Sequence, residues 1–241
     1  MKKTYIVTSS LISIIILWYI LFVMIDEPLL MPSFHDVFIS IYHILTSNQI
    51  WIIMQSLLRL LISFIIAAII GIILGFISAK KSWIEIYQRP IMTILRTIPV
   101  LSVVVILFIL IGSTMGVYVI VFLMICPLFY QATLDLIKHI DPALIDVLKI
   151  NEGHVKESIK YVYVPILEEG LLVTIFQSLG LGVKVLVMAE YLMQTRNSIG
   201  KSIYVAKVNL VYDDVYAWTA ILIILTLILE LIVMKISKNR N

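Results

Sequence analysis

Between Arg96 and Asp135 the chain runs from Thr97 to Leu134, 38 residues, without one charged side chain. As a single α-helix this stretch would measure about 57 Å at about 1.5 Å per residue, nearly twice the roughly 30 Å hydrocarbon core of a bilayer. No soluble fold of this size has a use for so much uninterrupted apolar surface. The run therefore predicts two membrane-spanning helices. Gly112 to Gly116, GSTMG, is the natural turn between them.

Four further spans follow by the same criterion. The opening stretch MKKTYIVTSSLISIIILWYILFVMIDEP places two lysines before a long apolar run. No small-x-small cleavage site follows it, so a retained transmembrane helix starting in the cytoplasm is expected rather than a signal peptide. Arg59 to Lys80 encloses twenty uncharged residues. A fifth span is expected from about Tyr161 to Glu190 and a sixth from about Val215 to Met234. Mean hydropathy is +1.08 and only 14% of residues are charged, against about a quarter in a soluble domain. The expectation is an all-α integral membrane protein of six transmembrane helices, with residues 1–241 forming a single domain. A net charge of +3 gives no footing for nucleic acid, and one cysteine, Cys126, excludes a disulfide framework.

Basic residues fix the expected orientation. Twelve of the eighteen fall in segments on one side: Lys2, Lys3, Lys80, Lys81, Arg89, Lys138, Lys149, Lys156, Lys160, Lys235, Lys238 and Arg240. Arg196, Lys201 and Lys207 lie on the other, while Arg59, Arg96 and Lys184 fall within spans. Both termini are thus expected in the cytoplasm. Two outer segments have helical patterning. One, MPSFHDVFISIYHIL, carries Ser33 and Asp36 as a capping box, with Val37, Phe38, Ile41, Ile44 and Leu45 on one face. The other, NSIGKSIYVAKVNL, spaces Ile199, Ile203, Ala206 and Leu210 along one face.

Small residues recur at every fourth position in the second span: Ser63, Ala67, Gly71, Gly75 and Ala79. Such a stripe lets a neighbouring backbone approach closely, and packing within the bundle is favoured over a subunit interface. Gly200-Lys201-Ser202 resembles the end of a phosphate loop, but Thr195 occupies the required earlier glycine position. No metal-ligand pair and no catalytic constellation is present, so the chain is not expected to be an enzyme. Intramembrane charges are costly and usually face a cavity or a partner. Arg59 and Arg96 lie close enough to a membrane surface to snorkel. Lys184 and Glu190, with Arg96, are the candidates for lining a solute path. Lys184 and Glu190 are six residues apart and do not share a helix face, so an alternative for Lys184 is an acid such as Glu190 of a second subunit.

The segment 138–160 breaks this apolar pattern. Four lysines, four acids and two histidines make it solvated and nearly neutral. Asp141 before Pro142 suits a helix N-cap followed by the first helical residue. Leu144, Val147 and Leu148 then form a short apolar stripe, and Asn151-Glu152-Gly153 ends or bends the helix before a second begins at His154. So short a pair needs something to dock on, either a protein partner or the lipid surface.

This segment resembles the cytoplasmic signature of permease subunits of binding-protein-dependent ATP-binding-cassette importers: E-A-A, three residues, G, then about twelve residues to a proline. Asp146, Val147 and Leu148 fall on the E-A-A positions before Pro165, Glu152 on the glycine position, and Gly153 one step late. MPSFHDVF, SLLRLLISFIIAAIIGIILG, LRTIPVLSVVVILFILIG, VKVLVMAEYL, SIGKSIYVAKVNL and VYAWTAILIILTLILE resemble, in order, segments of the nitrate/taurine/sulfonate-type group. The resemblance implies a type I importer fold in a bacterial cytoplasmic membrane. It also implies two permeases (identical or homologous), two cytoplasmic ATPases and an external solute-binding protein. Asp141, Leu144, Asp146, Val147, Leu148, Glu152, Gly153 and His154 would then contact the ATPase. That partner would bind ATP and magnesium, and this chain no cofactor. An ion-coupled carrier or a passive channel of similar size is the competing class, though neither internal repeats nor broken midplane helices are evident.

Overall fold

The computed structural model describes residues 2–27, 30–141 and 159–238. Among these residues the secondary structure is helical throughout. In chain order the helices are α1 (Lys2–Ile25), α2 (Phe34–Thr46), α3 (Ile50–Lys80), α4 (Ser82–Thr97) and α5 (Val100–Lys138). A π-helical turn, Ile159–Tyr163, leads into α6 (Val164–Leu192), which is followed by α7 (Ile199–Val208) and α8 (Tyr212–Lys238). Four stretches are long and apolar enough to cross a membrane: Ile50–Lys80, Val100–Lys138, Gly170–Leu192 and Tyr212–Ser237. The apolar stretch Ile12–Ile25 of α1 is shorter. The chain is a multi-pass membrane protein.

Helix α5 is interrupted at Gly112, where φ is +76° and ψ 179°. An L-residue rarely adopts that conformation, and glycine does so at no steric cost. The interruption falls on the first residue of the GSTMG turn and divides the helix into 100–111 and 113–138. The first piece is about 18 Å long at about 1.5 Å per residue and cannot cross a bilayer by itself. It is preceded by α4, separated from it only by Ile98 and Pro99.

Helix α4 is an element that the sequence reading leaves out, since it counts the uncharged run from Thr97 and puts Lys80, Lys81 and Arg89 in a connecting segment. Trp83, Ile86, Tyr87, Ile91 and Ile94 are exposed on α4, interleaved with Glu85, Arg89 and Arg96. A search for uncharged runs passes over a helix whose charges keep to one stripe. The helix of the second span extends well before the uncharged run between Arg59 and Lys80, starting at Ile50, and the fold neutralises the arginine it includes.

The core lies where α3 crosses α5 and α5 meets α6. Ser63, Ala67, Gly71 and Gly75 are buried along α3, as the small-residue stripe predicts. A Cβ at Gly71 would stand 2.6 Å from Cys126 O, and one at Gly75 2.6 Å from Tyr130 O. Backbone therefore meets backbone along this seam, flanked by the edge-to-face pair Phe64 and Phe129 at 5.5 Å.

On the opposite side of the bundle from Lys80, α2 packs across α8 and α7 packs on α6 and α8. Ser33 Oγ caps α2, accepting from Asp36 N at 3.2 Å and donating to Asp36 Oδ2 at 2.6 Å. That donated bond holds the Asp36 carboxyl below its usual range. Val37 and Ile44 are buried with Ile53, Ile199, Ala217, Trp218 and Ile221. Phe38 and Leu45, expected on the same face, point outward, as does Leu210 beyond the end of α7.

Replacing Gly75 with alanine should destabilise the protein by about 1–3 kcal/mol, because the added methyl meets backbone. Gly180 has open space where its Cβ would be. Gly180→Ala should be neutral or stabilising by up to about 1 kcal/mol, since alanine is the better helix former. Unfolding midpoints in one detergent decide between the two expectations.

Candidate functional site

Three groups of polar side chains lie within or beside the apolar bundle. The most enclosed is centred on Glu190, near the C-terminus of α6. Its side chain has no exposure to solvent. Arg59 Nη1 on α3 donates to Glu190 Oε1 at 3.0 Å. Ser56 Oγ, one turn earlier, lies 2.8 Å and 2.9 Å from the two carboxylate oxygens and accepts from Ile199 N at 3.0 Å. Gly200 N, in the first turn of α7, donates to Glu190 Oε2 at 3.2 Å.

Arg59 does more than neutralise the acid. Nη2 donates to Arg196 O at 3.0 Å, and Nη1 reaches Asn197 O at 3.1 Å. The loop between α6 and α7, with Gln194 and Asn197 at positive φ, is thereby tied to α3. Ser198 completes the N-cap of α7 by accepting from Lys201 N at 3.2 Å. Gly200 lies where a Cβ would run into Tyr191 N, Val187 O and Glu190 Cβ. The glycine of the GKS triplet thus serves a close helix contact.

This geometry bears on two sequence-based readings. Arg59 turns into the bundle rather than snorkelling to a membrane surface. Glu190, a candidate for the solute path, has its carboxylate enclosed by Ser56, Arg59 and Gly200 of its own chain. It is therefore no free acid for Lys184 of a second subunit. The signal was present only in part: an arginine and a glutamate in separate spans, 131 residues apart, with nothing local to pair them.

The second group lies where the segment 142–158 leaves and rejoins the bundle. Before it, Lys138 Nζ bonds Glu85 Oε2 at 2.6 Å, and Arg89 Nη2 bonds Glu85 Oε1 at 3.0 Å. After it, Lys80 Nζ donates to the Tyr163 hydroxyl and stands 4.2 Å from the Tyr163 ring centroid. Ile137, Ile140 and Tyr163 are buried together against Phe76 and Ala79. Both ends of the segment are therefore fixed to one end of α3, α4 and α5. Asp141 lies exposed on the rim of an open groove shared with Asp135, His139 and Ile166. The positions Leu144, Asp146, Val147, Leu148, Glu152, Gly153 and His154 lie outside the described residues.

The third group is two cations, Lys184 in the apolar stretch Gly170–Leu192 and Arg96 in the last turn of α4. Lys184 is exposed on the wall of an otherwise apolar groove of about 600 Å³ between α6 and α8. Arg96 is exposed on the wall of a polar cavity of about 270 Å³ between α4 and α5. The structure thus separates Lys184, Glu190 and Arg96 into three different environments.

Removing either Arg59 or Glu190 leaves the other charge buried and unpaired, a loss of about 3–5 kcal/mol. Arg59→Met and Glu190→Gln should each lower the unfolding midpoint strongly. The double variant should recover most of that loss, and an additive loss would contradict a direct pair.

A comparison with curated proteins returns no match. Residues 69–239 match the family model described as the binding-protein-dependent transport system inner membrane component. That match runs from the small-residue stripe of α3 through the core crossings to the end of α8, over well more than half of the chain. The chain belongs to this family, the membrane-embedded permease components of ATP-binding-cassette importers.

Proposed function

We propose that the chain forms the solute path of an importer and is driven through the segment 138–160 by a separate cytoplasmic ATPase. The observation that carries the coupling is the double anchoring of that segment. A partner that pushed on residues 142–158 would move the Lys138–Glu85 and Lys80–Tyr163 contacts together, and with them the ends of α3, α4, α5 and α6. An interfacial helix resting on lipid needs no such paired attachment. Family membership supplies the context, since permeases of this kind work with ATPase and binding-protein partners.

The finer assignments belong to the same proposal. Six spans arise if α1 crosses and if the break at Gly112 separates a third span, built from α4 and 100–111, from a fourth at 113–138. The bias of basic residues then places both termini in the cytoplasm of a bacterial inner membrane. ATP and magnesium are held by the ATPase, the second permease is an identical or homologous chain, and an external binding protein delivers the solute. The nitrate/taurine/sulfonate-type resemblance marks the subgroup.

Replacing Gly153 with leucine or Asp146 with lysine should leave insertion intact and abolish ligand-stimulated ATP hydrolysis in the reconstituted complex. Wild-type stimulation in both variants would remove the coupling role. Lys184 tests the path. A charge on an otherwise apolar wall is costly unless it faces a cavity or partner, and Glu190 is already taken. Lys184→Met should abolish solute uptake while assembly and basal ATP hydrolysis persist. Unchanged uptake would take Lys184 out of the path.

A further inference from the structure

Of the three cations inside the bundle, Arg59 has its carboxylate and two carbonyls. Lys184 offers a single charge on an apolar wall. Arg96 is different, because other polar groups converge on its cavity. Helix α4 presents Glu85, Arg89, Thr93 and Arg96 toward Tyr130, Gln131, Asp135 and Lys138 of α5.

The charges in this cavity do not cancel. Both oxygens of Glu85 are used, one by Arg89 and one by Lys138. Asp135 Oδ1 accepts from Gln131 Nε2 at 2.8 Å. Arg96 is left without a partner among the described residues, as the single excess charge of three cations over two carboxylates. The acids sit at the end marked by Lys138, whereas Arg96 lies eleven residues beyond Glu85, about 16 Å farther along the helix. Against the same cavity, the Tyr130 side chain is packed with Met92 and Leu134. Its hydroxyl is buried with no hydrogen-bond partner among the described residues. An unpaired buried donor is unfavourable, and an acceptor that reached it would remove the penalty. A planar guanidinium beside a phenolic donor matches the oxygens of a phosphate, sulfonate or carboxylate.

We propose that the α4–α5 cavity is a binding site for a small oxyanion, held by Arg96 with Tyr130 as second donor. Glu85, Arg89, Lys138 and Asp135 form its charged mouth. The site requires no assumption about transport or coupling. Its oxyanion can be a free solute or the phosphate of a lipid headgroup.

The test uses the full chain in phosphatidylcholine nanodiscs. Equilibrium binding of radiolabelled sulfate and phosphate is measured, and retention of added phosphatidylglycerol is read by native mass spectrometry. For a free oxyanion, the wild-type chain should bind sulfate or phosphate. Arg96→Gln should weaken that binding by about tenfold or more, the scale of a hydrogen bond to a charged group. Tyr130→Phe removes one oxygen from a side chain whose ring packing is kept, and should weaken it by a smaller factor. Lys207→Gln, on α7, should have no effect. For a lipid source, the wild-type chain should retain phosphatidylglycerol and neither sulfate nor phosphate, and Arg96→Gln should lose the lipid. If Arg96→Gln does not fold, Arg96→Lys and Tyr130→Phe carry the same test. A wild-type chain that takes none of these probes overturns the site, as do variants that bind them with wild-type affinity.

Discussion

Backbone contact between α3 and α5 is the constraint on which the rest of the architecture rests. In a bilayer, lipid tails are as apolar as leucine, so apolar area alone does not bring two helices together. Close van der Waals approach does, and Gly71 and Gly75 permit it where any Cβ would collide with the carbonyls of Cys126 and Tyr130. The crossing sets the position of Ser56 and Arg59 about three to four turns nearer the start of α3 on one side. It sets Lys80 on the other. Both polar clusters are thus held by one seam.

The Arg59–Glu190 cluster shows what such a seam allows. Burying two charges is expensive, and their attraction offsets that cost only when the remaining donors and acceptors are also satisfied. Ser56, Gly200 and two loop carbonyls do this here. The pair is better understood as a device of specificity than as a source of net stability. It selects one placement of the α6–α7 loop, including its positive-φ residues, from the many that a short loop between apolar helices could adopt.

What the sequence revealed follows from how local each signal is. The small-residue stripe, the break at Gly112 and the Ser33 cap are each written within a few consecutive turns, and all three were legible. Helix α4 was not, because its charges lie along one face and interrupt every apolar run without interrupting the helix. Helical spacing puts Phe38 and Leu45 on the same apolar face as Val37 and Ile44, which identifies a face but not how much of it a neighbour covers. The partner of Arg59 was the hardest case. Charge in a span announces that some compensation must exist, and only the tertiary fold says where it is.

The three cations Arg59, Lys184 and Arg96 therefore divide by what surrounds them. Arg59 is saturated: its guanidinium meets one carboxylate and two carbonyls, leaving little capacity for a ligand that comes and goes. A residue so engaged holds structure. Lys184 and Arg96 have no such company among the described residues. Their surroundings differ in turn. The groove at Lys184 supplies an apolar wall and one ammonium. The cavity at Arg96 supplies a guanidinium fork, a buried hydroxyl and a mouth in which Glu85 is paired with Arg89 and Lys138. Degree of saturation, more than charge, distinguishes the cation that builds the bundle from the two whose donors have no partner among the described residues.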